Sequence, residues 1–171
     1  MQLTTILIAC LPALALAAPS KRQCSPPIFP AGVSQISLSK AAGSPSTTQD
    51  LTWFVSLPPF PYPTPTNNPP RNIPPNAPGP CALIATFPTN YPITSWGNAQ
   101  VNVIDVNGPS PGAIVGTVTF SSETWGPKKT YINSFACRPN MQYRLVLAGE
   151  GAGGVSFAEG NGAGVALTYG C

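Results

Sequence analysis

Few groups in this chain are able to do chemistry. It contains five carboxylates, Asp50, Asp105, Glu123, Glu150 and Glu159, and no histidine. Without an imidazole, neither a Ser-His-Asp nor a Cys-His nucleophile can be assembled. Two carboxylates alone can hydrolyse a glycoside, provided that they flank one sugar bond roughly 5–10 Å apart. The pairs that a β-topology would have to bring together are Asp105 with Glu123, or Glu150 with Glu159. Scattered through turn-like contexts, these acids read more simply as solvated turn residues. No catalytic residue is assigned, and the chain is read as a non-enzyme.

Bound groups fare no better. The run GEGAGGVSFAEGNGAG lacks the GK[ST] of a phosphate-binding loop. Glu150, Glu159 and Asn161 offer oxygens to calcium, but without the Asp-rich spacing of such sites. The cysteines are widely spaced and no CxxC occurs, which is a poor zinc pattern. We expect no metal and no cofactor. The aromatic residues are better candidates. Trp96 in ITSWGN and Trp125 in TWGPKK lie in turn-like contexts where exposure is expected, and exposed rings on a rigid scaffold stack against sugars. The competing reading has both rings capping the ends of the core. Trp53 alternates with core residues and is expected to be buried.

The elements that carry these residues begin after a leader. The apolar run Leu3 to Leu16 is too short for a membrane span and ends in small residues, so residues 1–17 read as a signal peptide cut after Ala17 or Ala18. A dibasic pair, Lys21-Arg22, follows; Pro19 keeps it extended, and processing after Arg22 would make 18–22 a short propeptide and Gln23 the mature N-terminus. Losing both basic residues lowers the formal net charge from +3 to +1, which leaves no nucleic-acid or anionic-membrane footprint. No second run of membrane-spanning length follows the leader, so the product is expected to be secreted, soluble and monomeric.

Cys10 falls in the leader, which leaves Cys24, Cys81, Cys137 and Cys171. Four cysteines in a secreted chain imply two disulfides with three connectivities open. We expect Cys81–Cys137 and Cys24–Cys171, the second stapling the mature ends together. No N-x-[ST] sequon occurs, whereas Ser44 to Thr48 and Thr64/Thr66 are accessible contexts for O-mannosylation.

Residues 23–171 are enough for one domain with a real core. LTWFVSL puts Leu51, Trp53, Val55 and Leu57 at period two, and MQYRLVLA puts Met141, Tyr143, Leu145 and Leu147 inward with Arg144 outward. In CALIATF, Cys81, Leu83, Ala85 and Phe87 share a face. VNVIDV is apolar on both faces, as in a central strand. In AIVGTVTF, Ile114, Val118 and Phe120 share a face, and GVSFAEG with GVALTYG reads as a terminal hairpin. Between the N-terminal strands and Cys81, residues 58–80 are roughly half proline, which excludes helix and central strand and favours a stiff surface excursion. Eight or nine short strands at regular spacing mean an all-β fold, a disulfide-stapled, jelly-roll-like antiparallel β-sandwich with a long Pro-rich surface loop.

CALIATFP, VNVIDV, FAC and the closing GVALTYG resemble a family of fungal extracellular proteins. These share a domain first described at the C-terminus of a yeast protein that binds a ubiquitin-like modifier. The resemblance covers residues 81–171 well and 24–57 loosely, and it implies an antiparallel β-sandwich. It supplies no catalytic residues, and a secreted chain does not meet a cytosolic modifier, so no partner carries over. The function expected is a non-catalytic extracellular or cell-wall-associated protein that binds a surface ligand, a cell-wall polysaccharide or an extracellular protein. A carbohydrate-binding module using Trp96 and Trp125 is the alternative, and a carbohydrate-active enzyme the third reading.

Overall fold

Met141, Tyr143, Leu145 and Leu147 recur at every second position, and in the computed structural model all four are buried along one face of a strand. The structure describes residues 24–54, 73, 77, 79–122 and 126–171. The expected leader and propeptide, with the cleavage positions Ala17 and Arg22, lie outside them, as do Val55, Leu57, Glu123, Trp125 and most of the Pro-rich stretch. Ten strands are present: β1 (Gln35–Lys40), β2 (Thr48–Phe54), β3 (Cys81–Phe87), β4 (Thr94–Gly97), β5 (Gln100–Asp105), β6 (Ile114–Thr119), β7 (Lys128–Phe135), β8 (Asn140–Leu147), β9 (Gly153–Ala158) and β10 (Gly164–Tyr169).

They form three antiparallel sheets, ordered β2-β8-β5-β6, β10-β3-β7 and β1-β9-β4. Their inward side chains meet in one core: Leu51 and Trp53 of β2 and the β8 row from the first sheet, Leu83 and Phe87 of β3 and Leu167 of β10 from the second, Ile36, Leu38, Val155 and Phe157 from the third. This is the all-β antiparallel sandwich. The aromatics interlock across it, with Phe87 and Phe157 edge to face at 5.0 Å and Trp53 edge-on to Tyr143 at 6.1 Å. Disulfides join Cys24 to Cys171 and Cys81 to Cys137. The segment after Cys24 extends the second sheet, because Ile28 and Leu167 exchange backbone hydrogen bonds of 2.8 and 2.9 Å.

Local pattern and tertiary placement part company at five points. Ile114 does not share a buried face with Val118 and Phe120; it is 58% exposed. Val103 pairs with Gly116 but Ile104 with Ile114, so Val115 is an extra residue, and the bulge reverses the facing of everything beyond it. The terminal hairpin is absent as a sheet. Asn161 and Gly162, both at positive φ, make a tight turn closed by Gly160 and Ala163, the geometry in which Asn-Gly is favoured. Beyond it the strands diverge, β9 pairing with β1 and β4, and β10 with β3. Gly164, at φ 118, makes that divergence, a backbone conformation open only to glycine.

The third departure concerns CALIATF, which is buried on both faces rather than one, since Ala82 and Ile84 are as inaccessible as Leu83. Fourth, β5 is central, between β8 and β6, yet its burial alternates, with Asn102 and Ile104 only half-buried. Last, the Pro-rich stretch is not wholly superficial. Ile73 is buried in the core and its N–H donates to the Phe54 carbonyl at 3.1 Å.

Candidate ligand-binding face

Strand β4 was hidden in the sequence because it is four residues long and reads as a turn. It exists because β9 supplies an edge: Thr94 pairs with Ser156, Ser95 with Val155 and Trp96 with Gly154. On the other side of β9, Ser37 opposes Ser156 and Ser39 opposes Gly154. Ile36, Leu38, Val155 and Phe157 point into the core, so strand alternation puts Ser37, Ser39, Thr94, Trp96 and Ser156 on the opposite, outer face.

Trp96 is 51% exposed there. Its indole packs against the backbone of Gly154: a Cβ built on that glycine would stand 2.4 Å from Nε1 and 2.7 Å from Cε2. Glycine is needed at 154 because the ring occupies the space of a side chain. With one side held on the sheet, the rest of the ring is open to solvent. The flanking groups are hydroxyls and an amide, including Gln35, which donates to Ser156 Oγ at 3.2 Å. Among the described residues of β1, β9 and β4, none of the side chains on this face is charged. Lys40, at the end of β1, is engaged with the Gly149 carbonyl. An apolar plate surrounded by neutral donors and acceptors suits a neutral polar ligand with flat apolar faces, such as a sugar ring.

Trp125, expected to share this role, lies outside the described residues. Ser122, three positions before it, donates its N–H to Ser95 Oγ at 3.0 Å, next to Trp96 in sequence. Trp53 is fully buried, as its alternation implied.

The acids occupy very different settings, and two are not the solvated turn residues expected. Asp105 is buried at the end of β5, where its carboxylate accepts N–H bonds from Gly108 at 2.7 Å and Ser110 at 3.2 Å, with Arg138 at 3.8 Å. It shapes the 106–112 loop. Asp105→Ala strands those two donors and the facing guanidinium, so we expect a loss of about 2–3 kcal/mol, read from denaturant unfolding. Glu159 is also buried. Asp50 forms a bidentate pair with Arg144 at 2.7 and 2.9 Å, and that bonding holds its carboxyl below the usual range. Glu150 and Glu159 stand at opposite ends of β9, about 20 Å of extended strand apart. That span is too long for a glycosidase pair or a shared calcium ion. Glu123, the other suggested partner of Asp105, lies outside the described residues.

Nearby, burial pushes the Tyr143 hydroxyl up to about 12, against the opposing pull of Arg138. Among the described residues, no three His, Cys, Asp or Glu side chains gather in a way that would hold a metal ion. Among the described residues there is no helix long and apolar enough to cross a membrane.

The serines and threonine around Trp96 went unremarked in the sequence. A tryptophan opposite a glycine is a usable signal, but only once the pairing of β4 with β9 is known. A scan against protein-family models found no match to this chain, and neither did searches of curated proteins and of solved structures.

Proposed function

We propose that this is a secreted, non-catalytic extracellular or cell-wall-associated protein of fungal type, and that it binds a neutral polysaccharide on the outer face of the β1-β9-β4 sheet. Trp96 is the stacking platform, and the hydroxyls of Ser37, Ser39, Thr94 and Ser156 hydrogen-bond the ring substituents. One observation carries the reading: a tryptophan held against Gly154 on a sheet face where no described side chain is charged. The leader, the disulfides and the resemblance of residues 81–171 to fungal extracellular proteins support the compartment. An extracellular protein partner is the alternative occupant of the same face.

The test is retention of the oxidised 23–171 protein on insoluble chitin, β-glucan, cellulose and mannan. We expect retention on one of them. Trp96→Ala should weaken it by roughly 30-fold, about 2 kcal/mol for a central tryptophan, with the circular dichroism spectrum unchanged. Gly154→Val, which displaces the indole without removing it, should weaken binding in the same direction. Absence of retention on all four, or retention indifferent to Trp96→Ala, would remove the polysaccharide reading. Release of soluble sugar in the same assay would instead identify a carbohydrate-active enzyme.

A further inference from the structure

The turn between β9 and β10 contains a carboxyl group that the ligand face does not use. Glu159 is only 8% exposed. Its Oε2 accepts the Val165 N–H at 3.2 Å, whereas Oε1 is buried with no hydrogen-bond partner. The carboxyl lies against bare backbone, since a Cβ on Gly164 would stand 2.3 Å from Oε2. Three further segments close around it. The Glu159 N–H donates to the Ser34 carbonyl at 2.8 Å, the Tyr91 hydroxyl donates to the Ala158 carbonyl at 3.0 Å, and β10 begins directly beneath.

Residues 29–34 and 163–168 carry no ionisable side chain, and in 88–93 the one titratable group is Tyr91. No cation faces Glu159 from any of these segments. A carboxylate at this place is therefore both desolvated and unpaired, while the neutral acid is tolerated at far lower cost. The position matters because this turn carries the chain from the β1-β9-β4 sheet to the β10-β3-β7 sheet.

We propose that Glu159 is a proton-dependent latch: as the neutral acid it lets the β9–β10 turn close and tie two sheets together, and on ionising it loosens that turn. The electrostatics agree. Burial pushes the Glu159 carboxyl up to about 8, outweighing the opposing Val165 N–H, and Tyr91 is raised by its own burial and then by the charge of Glu159. The folded-state value lies above the unfolded one of 4.5, so the stabilisation is complete below about 4.5 and is lost as pH rises towards about 8. Asp50 acts in the opposite sense: its folded value lies below 3.8, so its contribution is lost only as pH falls below that. The two together place maximum stability on the acid side of neutrality.

The experiment is carboxyl-carbon NMR of the oxidised secreted protein, with the Glu159 resonance identified by its absence in Glu159→Gln. We expect its titration midpoint near 8; a midpoint of 4–5 overturns the proposal. Denaturant unfolding should show the wild-type unfolding constant rising by roughly 500- to 1,000-fold between pH 5 and pH 9, against less than about threefold in Glu159→Gln. Equal pH dependence in the two proteins overturns it as well. Amide exchange at Val165 in the wild type, which does not depend on the variant folding, should lose protection in step with ionisation. Protection that is constant through the titration would show a buried acid with no latch.

Discussion

Replacing both Cys81 and Cys137 by alanine should lower stability by about 4 kcal/mol, and replacing both Cys24 and Cys171 by serine by about 5 kcal/mol, as upper values from loop closure. The sequence separations are 56 and 147, so the terminal bond restricts the larger loop of the unfolded chain. The native consequences differ in the opposite way. Cys81 is fully buried within β3, so losing its sulfur also opens a small void in the core. Cys24 and Cys171 are only half-buried, and what they secure is a seam. Along that seam Ser25 N–H donates to the Tyr169 carbonyl at 2.8 Å, Ser25 Oγ accepts from Tyr169 N–H at 2.9 Å, and Ile28 pairs with Leu167. The Cys24/Cys171 variant is therefore expected to lose amide-exchange protection at Tyr169 and Leu167 before global unfolding, and the Cys81/Cys137 variant is not. Guanidinium midpoints give the totals, and residue-resolved exchange separates the mechanisms.

The second large effect falls on the same seam from the inside. Trp53→Ala should cost about 3–5 kcal/mol, the range for removing a fully buried large aromatic. Trp53 is 0% exposed, packs edge-on to Tyr143, and donates Nε1–H to the Ile28 carbonyl at 2.9 Å. Trp53→Phe separates packing from hydrogen bonding. The Ile28 carbonyl also accepts the Leu167 N–H at 2.9 Å, so it is not orphaned when the indole donor is lost. The phenylalanine variant should accordingly lose only about 1–2 kcal/mol. A loss as large as that of alanine would mean that the indole hydrogen bond, rather than volume, holds the N-terminal segment in place. Because Ile28 links Trp53 to the Cys24–Cys171 seam, the two sets of substitutions should be less than additive in a double-mutant cycle.

Much of the architecture was legible because strand alternation is local. The rows Leu51/Trp53 and Met141/Tyr143/Leu145/Leu147 each declare a buried face without reference to any other segment, and Gly, Pro and Asn mark the breaks between strands. The absence of histidine fixed what nucleophilic chemistry is out of reach. Trp96 stands out as a candidate by residue type alone, but it lies on an edge strand rather than in a turn.

What only the tertiary structure decided depends on partners far away in the chain. Period-two alternation counts residues but cannot register an inserted one, so the Val115 bulge sends Ile114 outward against its local pattern. The Asn161-Gly162 turn encodes a reversal of direction and not the sheet that each arm joins, so β9 and β10 separate despite a hairpin turn. Burial of an acid is likewise invisible locally. Asp105 and Glu159 each come just before a glycine-containing turn, like many solvated acids, yet one is satisfied by the loop it organises and the other is enclosed by segments from Ser34, Tyr91 and Val165. The sequence by itself determined the strands other than β4, the cysteines and the exclusion of histidine chemistry, all set by residue type and short-range spacing. The fold alone decided which residues share the Trp96 face and which acid must keep its proton, because both follow from hydrogen-bonded pairings and desolvation between distant segments.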